Sequence, residues 1–101
     1  MARLAGQVFE FEGFVLAPRE RLLLRNGEAV PLAGKAFDML CLLVRRAGHL
    51  VVKDELLDVV WRDAAVTEVN LTVAMSSIRK ALHPSMVETV SGHGYRFTAA
   101  V

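Results

Sequence analysis

A single cysteine, Cys41, stands in the sequence, so no internal disulfide can form. It lies within Met39-Leu40-Cys41-Leu42-Leu43-Val44, a setting that predicts a reduced core thiol in a reducing compartment. That six-residue run is also the longest apolar stretch, far below the ~20 residues that span a bilayer. Met1 to Gly6 lack the long apolar segment of a secretion signal, and the expected location is the cytoplasm. Excess charge is lacking too. Twelve basic against 11 acidic side chains leave +1, which excludes a histone-like polycation or an acidic tail. His49, His83 and His93 lack metal-ligand spacing, and one cysteine cannot complete a zinc site. No Ser/His/Asp or Cys/His set can be nominated, so neither an enzyme nor a cofactor is expected.

What is present is an apolar fraction of 53% in 101 residues, enough for one domain (1–101) and too little for two. From Gln7 to Pro31, short apolar pieces alternate with turn residues, including Glu12-Gly13, Ala17-Pro18-Arg19-Glu20 and Asn26-Gly27. Asn-Gly between apolar runs is a strong hairpin signal, and three or four antiparallel strands are predicted. The period then becomes helical. Phe37, Leu40, Cys41 and Val44 recur at i, i+3, i+4 and i+7, with Arg45-Arg46 in the last turn and Gly48 as the stop. After the short run Leu50-Val51-Val52, a second helix carries Leu56, Leu57, Val60 and Trp61, with Asp54 and Glu55 in its first turn.

A third helix is predicted from an N-cap at Thr67 to about Leu82, before Pro84. Leu71, Met75, Ile78 and Leu82 form its apolar stripe, and Val69, Thr72, Val73, Ser76 and Lys80 its opposite face. Met86 to Val90 and Tyr95 to Thr98 read as two strands joined by Ser91-Gly92-His93-Gly94. That turn is too short, and follows the wrong element, to be a nucleotide-binding loop. The expected fold is α+β: an N-terminal antiparallel sheet, three helices and a terminal hairpin, the order of a winged helix-turn-helix.

Three stretches resemble the OmpR/PhoB-type winged helix-turn-helix domains of bacterial transcription regulators: Leu32 to Val44, Val51 to Trp61, and Ile78-Arg79-Lys80-Ala81-Leu82 followed by Glu88-Thr89-Val90-Ser91-Gly92-His93-Gly94-Tyr95-Arg96-Phe97. The resemblance covers about residues 7–98. It implies binding to double-stranded DNA, with the third helix (about 67–82) in the major groove. The hairpin (about 87–98) would be a wing on the adjacent minor groove or backbone. It further implies contact with RNA polymerase through the 62–68 loop. The implied DNA-facing residues are Val69, Thr72, Val73, Ser76, Ser77, Arg79 and Lys80 on the helix, and Thr89, Ser91, His93, Tyr95 and Arg96 on the wing. Trp61 also matches a position whose polar tip reaches a phosphate, although it suits a core role equally.

The sequence departs from the family pattern at the helix openings, where Ala33, Ala36 and Lys53 replace the usual polar residues. The departures on the binding face weigh more. Val69, Ser76, Ser77 and Ser91 stand where studied members carry arginine. From Thr67 to Val101 only Arg79, Lys80 and Arg96 oppose Glu68 and Glu88, so one copy is expected to bind weakly and to need a dimer or tandem site. The competing reading is a winged-helix protein–protein adaptor, which predicts an exposed apolar patch on the sheet or the third helix. Beginning within ten residues of Met1, the resemblance leads to the expectation that the DNA-binding domain comes first if Met1 is native. A receiver would precede it otherwise.

Overall fold

The computed structural model describes residues 6–62 and 68–101. Its N-terminal sheet is a four-stranded meander of β1 (Phe9–Phe11), β2 (Phe14–Ala17), β3 (Leu22–Arg25) and β4 (Glu28–Ala29). The two-residue turns Glu12-Gly13 and Asn26-Gly27 have φ of 44°, 84°, 50° and 86°. Positive φ at both central positions is the primed turn that matches strand twist, and Asn and Gly tolerate it best. The Asn26 amide donates to the Gly13 carbonyl at 2.9 Å, tying the two hairpin ends together.

Helix α1 (Gly34–Arg45) buries Phe37, Leu40, Cys41 and Val44, as the periodicity predicts, together with Met39 and Leu43. Arg46 is its cap, so Gly48 lies one residue later than the expected stop; its amide donates to Phe97 at 2.8 Å. Helix α2 (Lys53–Val60) follows, with Val52 as the residue before it and no side-chain cap. The first amide of α2, that of Lys53, instead donates to the His93 carbonyl at 3.1 Å, and two charge pairs join the helix to its neighbours. Arg46 grips Glu55 with two hydrogen bonds of 3.0 and 2.7 Å, and Lys53 reaches Glu68 at 3.2 Å. Each holds a helix end in place while contributing little net stability at the surface.

Helix α3 (Glu68–Ala81) turns Leu71, Ala74, Met75 and Ile78 inward. Leu82 is buried just beyond its end, so all four residues of the predicted stripe reach the core. The N-cap expected at Thr67, and positions 63–67 of the 62–68 loop, lie outside the described residues.

The C-terminal sheet differs from the expected isolated hairpin. Strands β6 (Val87–Val90) and β7 (Gly94–Phe97) are joined by β5 (Leu50–Val52) in the order β5-β7-β6. The run between α1 and α2 is therefore a strand, paired antiparallel as Leu50↔Arg96, Val51↔Tyr95 and Val52↔Gly94. Met86, expected to open the wing strand, instead ends a 3-10 turn over Pro84–Met86, which Pro84 starts. Aromatic contacts join the two sheets: Phe11 stacks on Phe14 at 5.6 Å and meets Phe97 edge-on at 5.0 Å. Leu16, Leu40, Leu56, Ile78 and Phe97 are fully buried in one core.

Gly94 is fixed by space. A β-carbon there would overlap the Val51 carbonyl oxygen and approach Val52 Cα at 2.9 Å. Gly92, with φ +77°, has open space where a β-carbon would stand. Gly94→Ala should therefore lower unfolding free energy by about 2–3 kcal/mol, against about 1 kcal/mol for Gly92→Ala, whose penalty is backbone conformation alone. Urea unfolding of the two variants checks the order.

Candidate nucleic-acid interface

With its apolar stripe in the core, α3 presents the other side to solvent. Val69 and Val73 are 67% and 61% exposed, and Thr72, Ser76, Ser77 and Lys80 are exposed beside them. Thr72 and Ser77 donate to the carbonyls of Glu68 (3.2 Å) and Val73 (3.4 Å), one turn back. Such hydroxyls rest on the helix yet keep lone pairs for an outside donor. Across a groove of about 560 Å³, Thr72, Ser76, Arg79 and Lys80 face Thr89 and Tyr95 of the wing.

The three cations on this side differ in what holds them. Arg79 is half-buried, and one guanidinium nitrogen donates to the Val87 carbonyl at 3.0 Å and to Thr89 Oγ1 at 2.8 Å. It therefore straps the end of α3 to β6. Arg96 pairs with Glu88 at 2.6 Å, directly across the β6–β7 ladder. Lys80 is exposed at the rim, where it borders both the wing groove and a second groove that Ser77 shares.

The remaining candidates divide by burial. Ser91 and His93 are exposed on the wing turn, and the His93 carbonyl accepts the Lys53 amide at 3.1 Å. Tyr95 is 7% exposed and lines the groove with its edge, whereas Trp61, equally buried at the end of α2, lies outside it. The structure thus brings Thr72, Ser76, Arg79, Lys80, Thr89 and Tyr95 around one groove. It leaves Trp61 in the core. The sequence reading missed Glu88 and the strap role of Arg79. The eight-residue spacing of Glu88 and Arg96 identifies that pair only once the hairpin register is known.

Burial pushes the Cys41 thiol up to about 11, so it stays protonated near neutrality and is a poor nucleophile. Among the described residues no three His, Cys, Asp or Glu side chains gather to hold a metal. No helix among them is long and apolar enough to cross a membrane.

Comparison with known proteins follows the same lines. Residues 27–97 match the family described as transcriptional regulatory protein, C terminal. The chain is 35% identical over 102 residues to the transcriptional regulator HilA of Salmonella typhimurium, covering 97% of this chain and 18% of HilA. It therefore spans under a fifth of that relative's length. Among solved structures it is similar to the DNA-binding domain of Escherichia coli CadC, with a TM-score of 0.82, 26% identity and 94% of each chain covered. It is also similar to the Klebsiella pneumoniae RstA DNA-binding domain in complex with the RstA box, with a TM-score of 0.78, 29% identity and coverage of 92% and 98%. The family match over residues 27–97, more than half of the chain, makes it a member of the OmpR/PhoB-type transcriptional regulatory C-terminal family, the winged helix-turn-helix DNA-binding domains of bacterial transcription regulators.

Proposed function

We propose that α3 enters the major groove of double-stranded DNA while the β6–β7 wing rests on the neighbouring minor groove or backbone. The carrying observation is the exposed face of α3 opposite the wing across one groove. In this reading Val69, Thr72, Val73, Ser76 and Ser77 meet base edges and phosphates, the valines suiting thymine methyl groups. Lys80, Ser91, His93 and Arg96 meet the backbone, with Thr89 and the edge of Tyr95 between them. Trp61 contributes by holding the end of α2. The similar RstA domain is solved in complex with the RstA box, which supports DNA as the ligand. Further proposals are that two copies bind side by side, that the 62–68 loop faces RNA polymerase, and that the domain works in the cytoplasm.

The adaptor reading calls for an exposed apolar patch on the sheet or on α3. Val69 and Val73 are exposed, but Thr72, Ser76 and Ser77 share that surface, and the family membership favours DNA.

Affinity should be limited by charge. With Arg79 holding the wing and Arg96 paired, no more than about three phosphates are neutralised, and log affinity should fall with log salt no more steeply than about −3. Lys80→Ala should flatten that slope by about 1. Fluorescence anisotropy on random and genomic duplexes between ~50 and ~200 mM salt reads both. Absence of association at ~50 mM salt, even for a tandem fusion of two copies, would overturn the proposal.

Glu88→Gln tests the wing separately. Releasing Arg96 and removing a negative charge beside the backbone should tighten binding about three- to tenfold at low salt and steepen the slope by up to about 1. An unchanged slope would place Arg96 away from the phosphates.

A further inference from the structure

The densest unpaired positive charge on the described surface lies away from α3. A cleft of about 430 Å³ opens between the β2–β3 turn, α1 and the end of α2. Arg21, Lys35, Arg45 and Arg62 stand on its walls, with Asp38 as the one carboxylate among the lining residues. Asp38 is engaged by Arg21 at 2.8 Å, and that guanidinium also sits 4.8 Å over the Phe37 ring. Lys35, Arg45 and Arg62 are exposed, and none has an acidic partner among the described residues. The floor is apolar, from half-buried Leu42 and Val59, which is 45% exposed.

Lys35, Asp38, Leu42 and Arg45 are spaced 3, 4 and 3 along α1 and so share one face. Lys35 and Arg45 are ten residues apart, about 15 Å along the helix axis. A single phosphate cannot meet both. A duplex matches poorly for another reason, since it is convex and its apolar groups, the thymine methyls, lie inside its major groove and out of reach of Leu42 and Val59. An extended acidic peptide with an apolar side chain matches charge, length and floor together. No α3 or wing residue lines the cleft, so occupancy of the α3 face leaves it open.

We propose that this cleft docks an acidic, partly apolar segment of a partner protein. Arg45 and Lys35 would hold its carboxylates at either end, Arg62 would close the α2 side, and Leu42 with Val59 would receive its apolar side chain. Interaction through this surface is independent of how α3 meets DNA. The probe is a fluorescein-labelled ten-residue peptide alternating Asp and Glu around a central Leu, titrated with the whole chain at ~50 mM salt. Saturable binding is expected, with amide and methyl NMR shifts at Leu42, Cys41 and Val59. Lys35→Glu combined with Arg45→Glu should weaken it at least about tenfold, and replacing the peptide's Leu by Ser should weaken it several-fold. Val59→Ser provides a second variant with no change in charge. Its DNA titration should change less than about twofold, because that residue is not on the α3 face, whereas the double reversal also weakens DNA binding through the long-range field. Circular dichroism checks that each variant folds. The proposal fails if the peptide does not bind, if its shifts fall on α3, or if charge reversal leaves binding unchanged. Displacement of the peptide by a short duplex from the same shifted residues would also overturn it, making the cleft a nucleic-acid surface.

Discussion

Strand β7 is the constraint on which the rest of the domain depends. It lies between β5 and β6, so the wing is hydrogen-bonded to the segment that leads directly into α2. At its end Phe97 is fully buried, meets the N-terminal sheet through Phe11, and accepts the Gly48 amide just after α1. One strand therefore sets the wing against both helices and the N-terminal sheet. A hairpin of two four-residue strands would be marginal alone. Here a third strand and a buried ring remove that weakness.

The same economy accounts for the distribution of charge. Arg46–Glu55 and Lys53–Glu68 connect helix ends, Arg21–Asp38 links the β2–β3 turn to α1, and Arg96–Glu88 crosses the wing. Each pair is partly exposed and individually weak. Together they consume cations that would otherwise contribute to the field around the domain. Among the described residues, the cations left without a carboxylate include Lys80 at the α3 rim, the group around the α1 cleft, and Arg19 and Arg25 beside the N-terminal sheet. On the docking proposed above, such a domain would read DNA chiefly through shape and short-range contacts, with little electrostatic steering from α3.

Local signals carried much of the architecture. Asn26-Gly27 specified a hairpin because few residues accept two successive positive φ values. The 3,4 spacing of Leu71, Met75, Ile78 and Leu82 separated the buried side of α3 from the exposed side before any contact was known. Non-local features were not legible in this way. Leu50-Val51-Val52 is a strand because β7 lies more than forty residues later, and nothing within three apolar residues distinguishes strand from helix. Arg79 and Lys80 look alike in sequence, two cations near a helix C-terminus where the macrodipole favours both. Their roles diverge because one points at a carbonyl and a hydroxyl on β6 and the other at solvent. The family resemblance supplied positions for DNA contact, but not which of those side chains would already be engaged.

That difference bears on how a weakly charged face can still recognise a sequence. The Arg79 hydrogen bonds reach β6 from the last turn of α3, so on the proposed docking helix and wing would meet DNA with their separation already set. Ordering two independent elements on a duplex would subtract from affinity, whereas a pre-set pair avoids most of that loss. Wrong sequences gain nothing from the rigidity, because a fixed helix–wing distance cannot readjust to a groove of different width. Loss of free positive charge lowers binding to all DNA alike, while the strap favours the duplex whose shape fits. On the docking proposed above, an arginine turned inward would exchange non-specific affinity for discrimination, and pairing two such domains on adjacent half-sites would restore the affinity without giving the discrimination back.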